Sequence, residues 1–215
     1  MKRKMISFVC IATIIVAYFM GNISPAILIS RAYGINIKQQ GSGNAGTTNV
    51  LRVLGKKAAA ATFIIDILKG VVSVLMGRLV GEYFLSPEYA ILLMLACGLA
   101  VFCGHIWPIV FGFKGGKGVA TAFGVIITVK PIVGLAALLI GVLVIIITKR
   151  VSAGSAIAAM SLPFLAYFLN QEVAAACSPY YIIWAVVMAA IVLIKHRANI
   201  QRLIKGEETK LSFKK

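Results

Sequence analysis

Six apolar stretches, at about 5 to 30, 58 to 80, 89 to 111, 119 to 148, 153 to 169 and 180 to 195, take up most of the chain. A helix needs roughly 20 apolar residues to cross a hydrocarbon core of about 30 Å, so runs of this kind constrain the fold more than any other feature. The composition agrees: 60% of the 215 residues are apolar, 13% are charged, and the mean hydropathy is +0.97. In lipid the backbone must satisfy its own hydrogen bonds. The expected fold is therefore all-α, a polytopic membrane helix bundle, read as one integral membrane domain over 1 to 215 with no room for a separate soluble domain.

The fourth stretch is too long for one crossing, because about thirty helical residues would span about 45 Å. It also carries Lys130-Pro131 near its middle, where proline removes a helix donor and lysine is costly in lipid. Splitting it there predicts about seven transmembrane helices. The start, Lys2-Arg3-Lys4 followed by an apolar run, looks like a signal peptide, but the run continues to about Ser30 without an A-x-A site and reads as a retained first span.

An odd number of spans puts the termini on opposite sides, and the segments at about 31 to 57, 112 to 118, 149 to 152 and 196 to 215 then fall together. With Lys195 they hold sixteen of the 22 Lys and Arg. By the positive-inside rule this side is cytoplasmic, with the N-terminus outside; Lys2-Arg3-Lys4 argues mildly the other way. The net charge of +16 points to anionic lipid and small anions as partners and not to nucleic acid, since the short loops offer no reading element. Cys10, Cys97, Cys103 and Cys177 lie in or beside apolar stretches without metal-ligand spacing and read as buried small residues. Asp66 and Lys69, three apart within the second stretch, read as an intramembrane ion pair, with a direct role in a polar cavity as the alternative.

Three polar segments carry the candidate chemistry. The first, Gly41-Ser42-Gly43-Asn44-Ala45-Gly46-Thr47-Thr48-Asn49-Val50-Leu51-Arg52, has glycines that let the backbone turn its N–H groups toward an anion. Ser42, Thr47, Asn44 and Asn49 add donors, and Arg52 adds a bidentate clamp. The second runs from Gly104-His105-Ile106-Trp107-Pro108 to Lys114-Gly115-Gly116-Lys117-Gly118. It is not a nucleotide P-loop, because Phe111 and Gly118 stand where Gly and Ser or Thr are required. It still predicts an anion site at a helix N-terminus, with Lys114 and Lys117 as point charges. His105 beside Trp107 reads as an interfacial pair. The third, Lys195-His196-Arg197-Ala198-Asn199, places His196 and Asn199 three apart, facing one way if the helix continues. Ser152 and Ser155 would lie on the same membrane face as further donors.

The six carboxylates are Asp66, Glu82, Glu88, Glu172, Glu207 and Glu208, and none lies in the first two segments. Neither paired-carboxylate chemistry nor a dedicated metal cage is supported, so no metal and no cofactor is expected. No His is followed by Asp at the spacing of the usual glycerolipid acyltransferases. A site rich in anion binders and poor in activating groups implies a substrate that arrives already activated.

The strings GSGNAGTTNVLR, GHIWPIVFGFKGGKGVATAFG and KHRANIQRLIKGEE resemble, in order and spacing, the motifs of the bacterial acyl phosphate:glycerol-3-phosphate acyltransferase family, and the similarity extends along the chain. The resemblance implies transfer of an acyl group from acyl phosphate to the 1-hydroxyl of sn-glycerol 3-phosphate, giving lysophosphatidic acid and inorganic phosphate, in a seven-helix bundle of the bacterial cytoplasmic membrane. It also implies that Ser42 and Arg52 bind phosphate groups, that Lys117 and its glycines hold glycerol 3-phosphate, and that His196 and Asn199 work near the acyl carbonyl. Glu208 matches a motif glutamate of structural character, although Gly206-Glu207-Glu208 departs from the usual Gly-Thr-Glu. The competing reading of the same anion sites is a membrane transporter of organic phosphates. The absence of inverted repeats counts against it, and oligomeric state stays open.

Overall fold

Proline and small residues divide the apolar sequence into helices, and the computed structural model describes residues 2 to 169 and 178 to 211. Glu172, Cys177, Lys214 and Lys215 lie outside the described residues. The α-helices are α1 (Lys2–Asn22), α2 (Pro25–Ala32), α3 (Thr47–Leu54), α4 (Lys56–Phe84), α5 (Pro87–Ile106), α6 (Val119–Val129), α7 (Pro131–Thr148), α8 (Val151–Phe168), α9 (Ser178–Lys195) and α10 (Arg197–Ile204). Short 3-10 turns at Ile37–Gln39 and Ile109–Phe111 complete the list.

Among the described residues, five segments are long and apolar enough to cross a membrane: Lys4–Ala32, Lys56–Phe84, Pro87–Phe111, Pro131–Thr148 and Val151–Phe168. A sixth is supplied by Pro179–Lys195 with Arg197–Ile204, a pair bent by 63°. The break expected at Lys130 is present, with Lys130 extended at φ −147° and ψ 95° ahead of Pro131. It leaves α6 with 11 residues, about 16 Å of helix. The seventh helix thus exists, yet it is too short to cross a bilayer core by itself.

The chain forms two compact units, 1 to 129 and 130 to 215. In the first, α4 shows the membrane logic most clearly. Ala58, Ala59, Thr62, Asp66, Lys69, Gly70, Ser73, Gly77 and Gly81 are buried, whereas Phe63, Ile64, Leu68, Val72, Leu75 and Leu79 are exposed. Large apolar side chains face outward because lipid welcomes them, while small ones let helices approach. A Cβ on Gly70 would stand 2.7 Å from the Thr121 carbonyl, and one on Gly124 would collide with the Ile67 carbonyl, so α4 and α6 touch backbone to backbone. Gly21 of α1 and Gly104 of α5 meet in the same manner: a Cβ on Gly104 would run into the Tyr18 carbonyl. In the second unit Gly154 of α8 does the same against the Gly141 carbonyl of α7.

The first span is broken at Ile23-Ser24, and an intramembrane charge holds the break. In a continuing helix the Gly21 carbonyl would accept from residue 25, but Pro25 has no N–H. Lys69 of α4 supplies the missing donor, its Nζ lying 3.2 Å from the Gly21 oxygen and 2.8 Å from the Ile23 oxygen. The same Nζ pairs with Asp66 Oδ1 at 2.7 Å, with both side chains buried. The ion pair expected from spacing is therefore present, and it also caps a helix break that composition did not reveal. Nearby, Tyr18 donates to the Trp107 carbonyl at 2.7 Å and Asn22 Oδ1 accepts from the Val110 N–H at 3.3 Å, tying the end of α1 to the end of α5.

Of the cysteines, Cys97 is buried, while Cys10 and Cys103 are half-buried along their helices and all three are free thiols. The buried reading holds in full for Cys97 alone.

Since any Cβ at Gly104 must push α1 away from α5, Gly104→Ala is expected to destabilise the protein by about 1–3 kcal/mol, the usual cost of overpacking. Thermal unfolding in detergent measures it; an unchanged midpoint would contradict the close approach.

Candidate functional site

The first polar segment is a braced turn running into a helix. Gly41 and Gly43 take positive φ values of 58° and 69°, which only glycine adopts without strain. Asn49 ties this turn together: its Oδ1 accepts from the Ser42 N–H at 2.8 Å, and its Nδ2 donates to the carbonyls of Ile37 at 3.2 Å and Gln40 at 2.9 Å. Asn49 is 1% exposed. It is thus a brace and not the anion donor expected from the sequence. The N–H groups of Gly43 and Gly46 are likewise spent on Gln40 and Asn44 carbonyls. What the turn leaves outward is Ser42 and, one turn beyond Thr48 on α3, Arg52; both are exposed. Asn44 is half-buried, and the Thr47 hydroxyl is buried without a hydrogen-bond partner.

The second segment folds back on the end of α5. Gly115 N–H donates to the Ile106 carbonyl and Gly116 N–H to the His105 carbonyl, each at 3.2 Å. These two amides therefore do not point at an anion, contrary to expectation. Their lack of a side chain serves close approach instead. A Cβ on Gly115 would collide with the His105 carbonyl, and one on Gly116 would collide with His105 Nε2 while lying 2.6 Å from the Ala45 carbonyl. Gly116 is the point at which the second segment meets the first. Gly118, at φ 80°, lets the chain pass the Phe102 ring and open α6. Lys114 is exposed and Lys117 half-buried on this approach.

His105 is not interfacial. It is 5% exposed, with Nδ1 lying 2.8 Å from Lys69 Nζ and 3.2 Å from Asp66 Oδ1, whereas Trp107 is 36% exposed. Sequence could not place it there because its partners lie 36 and 39 residues away on another helix.

Two further cations went unnoticed in the sequence. Arg31 and Lys38 both sit over the Phe111 ring, each 5.7 Å from its centroid, and Lys38 Nζ donates to the Phe111 carbonyl at 3.3 Å. Partial burial lowers the pKa of Lys38, and the charges of Lys114 and Arg31 lower it further. Neither polar segment of this unit contains a carboxylate. The loops are thus a concentration of positive charge that an anion would relieve.

In the second unit the helix does not continue through the third segment. The chain bends at His196, which precedes α10, so His196 and Asn199 do not share one straight helical face. Both are buried, at 3% and 8% exposure. His196 Nδ1 lies 2.8 Å from the Val192 carbonyl; a carbonyl only accepts, so Nδ1 carries a proton. Asn199 Nδ2 donates to Glu208 Oε1 at 2.6 Å, Ser152 Oγ donates to the same oxygen at 2.7 Å, and Arg202 Nε reaches Oε2 at 2.7 Å. Glu208 is accordingly the knot that seats Asn199. Ser155 Oγ donates within its own helix to the Val151 carbonyl at 3.0 Å. Burial works against the Glu208 carboxylate, but hydrogen bonds from Asn199, Ser152 and Arg202 and the Arg202 charge outweigh it, and its pKa is lowered.

The family model described as glycerol-3-phosphate acyltransferase matches residues 11–206. A glycerol-3-phosphate acyltransferase of Thermoanaerobacter sp. (strain X514) is 44% identical over 206 residues, 95% of this chain and 96% of the relative. One of Clostridioides difficile (strain 630) is 43% identical over 216 residues, 99% of each. The crystal structure of PlsY (YgiH), an integral membrane glycerol 3-phosphate acyltransferase, matches in its glycerol 3-phosphate form with a TM-score of 0.83 at 34% identity, covering 94% of this chain and 96% of that one. Its lysophosphatidic acid form matches with a TM-score of 0.79 at 35% identity, covering 95% and 96%.

The lowered pKa of Glu208 makes its contribution present above the ordinary glutamate value of 4.5 and lost as pH falls through the lower folded value. Protection of the α10 amides, measured relative to their intrinsic exchange rates, is expected to stay high near neutrality and to fall below pH 4.5. Glu208→Gln should show fast exchange already at neutral pH; protection unchanged in that variant would remove Glu208 from its anchoring role.

Proposed function

Because the chain belongs to the glycerol-3-phosphate acyltransferase family, we propose that it transfers an acyl group from acyl phosphate to the 1-hydroxyl of sn-glycerol 3-phosphate, releasing lysophosphatidic acid and inorganic phosphate. The observation that carries this reading is the meeting of two glycine turns at Gly116 and Ala45, beside exposed cations and with no carboxylate in either turn. Such a place suits phosphate groups. Ser42 and Arg52 hold one of them, and Lys117, with Lys114, holds the other.

The chemistry fits a donor that is already activated. Acyl phosphate is a mixed anhydride, so the hydroxyl oxygen forms the new ester bond to the acyl carbon while the bond from that carbon to the bridging oxygen breaks. Phosphate leaves with that electron pair, and in the net balance it takes up the hydroxyl proton. Little remains for the protein beyond positioning, desolvation and stabilising negative charge. In the second unit His196 Nε2 serves as acceptor for the substrate hydroxyl, and Asn199, seated by Glu208 through Nδ2, orients the acyl group. The positive-inside rule favours the bacterial cytoplasm for the basic loops, the side on which soluble glycerol 3-phosphate is met. A transporter of organic phosphates would use the same cations without needing His196 or Asn199.

Purified protein offered acyl phosphate, acyl-CoA and acyl carrier protein in turn should incorporate labelled glycerol 3-phosphate into lipid with acyl phosphate alone. Label crossing sealed vesicles chemically unchanged would instead support the transporter. Arg52→Ala is expected to lower kcat/KM by about ten- to a hundredfold or more, the loss of a charge-assisted phosphate clamp of roughly 1.5–3 kcal/mol, with membrane insertion intact; near-normal turnover would take Arg52 out of the site.

A further inference from the structure

The buried group Asp66, Lys69 and His105 has no part in the chemistry above, yet it ends at the junction of the two glycine turns. Lys69 Nζ has four neighbours: Asp66 Oδ1 at 2.7 Å, Ile23 O at 2.8 Å, His105 Nδ1 at 2.8 Å and Gly21 O at 3.2 Å. An ammonium has three protons, and its hydrogen bonds to the Gly21 and Ile23 carbonyls and to His105 Nδ1 take them, while Asp66 meets it as an ion pair. His105 Nδ1 is then an acceptor, and the ring proton sits on Nε2. That nitrogen borders the Gly116 backbone, on the same spot that the Ala45 carbonyl borders. The imidazole and the Ala45 carbonyl thus both close on the space where a Gly116 side chain would stand.

We propose that His105, oriented by Lys69 and Asp66, is a positioning residue that presses Gly116 of the second turn against Ala45 of the first and so sets the spacing of the phosphate-binding cations. This rests on the reading of those turns as the glycerol 3-phosphate site. Three features of the sequence serve the arrangement: a lysine tolerated in the middle of a span, Pro25 that frees the Gly21 carbonyl for Lys69, and a glycine at 116 that leaves room for the imidazole. His105 is buried behind the turns, at 5% exposure. Its effect is on the geometry of the turns, and therefore on substrate affinity more than on the chemical step.

The test separates the two ring nitrogens. Asn places a polar atom near the position of Nδ1 and none near Nε2, whereas Gln extends to Nε2. His105→Asn is expected to raise KM for glycerol 3-phosphate at least tenfold, with kcat and KM for acyl phosphate within about threefold and an unchanged melting temperature. His105→Gln should bring KM back to within about threefold of the parent. Glycerol 3-phosphate affinity measured by calorimetry on the same proteins should follow KM. Parent protein that binds and acylates glycerol 3-phosphate while His105→Asn does so with equal KM overturns the proposal alone; parent protein that neither binds nor acylates it overturns the functional reading and this one with it. Where His105→Asn does not fold, Gly116→Ala decides, since its Cβ enters the space that Nε2 and the Ala45 carbonyl border and so parts the two turns: a tenfold rise in KM is expected, and an unchanged KM overturns the proposal.

Discussion

A single ammonium group inside the membrane organises the first unit. Lys69 would cost about 2.5–3.5 kcal/mol at mid-span on insertion scales if it stood alone. Surrounded by Asp66, His105 and two carbonyls, it becomes a connector between three spans. Of the carbonyls it binds, Gly21 loses its helical partner to Pro25, and Ile23 loses its own because the Ile27 N–H bonds to Ser24 across the break, so each defect answers the other. The break in the first span, the depth of α4 and the end of α5 all depend on this one set of contacts.

Around that connector the helices approach through glycine. Gly21 against Gly104, and Gly70 and Gly124 between α4 and α6, bring backbone onto backbone, which in lipid replaces the hydrophobic drive that assembles soluble cores. The large side chains turned outward, such as Phe8 at 71% and Leu79 at 66% exposure, are normal for a chain whose solvent is hydrocarbon. The same use of glycine continues into the polar turns, where Gly115 and Gly116 lie against the end of α5.

This changes how the glycine-rich motifs are understood. Read as sequence, their glycines and amides all look like anion donors. In the fold, the amides of Ser42, Gly43, Gly115 and Gly116 and the side chain of Asn49 are consumed in shaping the turns. The groups left outward are fewer and mostly charged: Ser42, Arg52 and Lys114, with Lys117 half-buried. Most of each motif is scaffold.

By itself the sequence determined the solvent, the helical class, the break at Lys130-Pro131 and the pairing of Asp66 with Lys69, because hydropathy, proline and three-residue spacing act locally. Its motifs also carried the family. It could not show that α6 is too short to cross, that the chain bends at His196, or that Asn49 and Glu208 are braces, since each depends on where distant backbone groups end up. His105 shows the limit most plainly. Next to Trp107 in sequence it looks interfacial, and only the packing of α4 against α5 brings Lys69 and Asp66 to its ring and turns the other nitrogen toward Gly116. A side chain's neighbours along the chain set its chemistry, whereas the low-dielectric contacts that decide its role come from helices that meet only after folding.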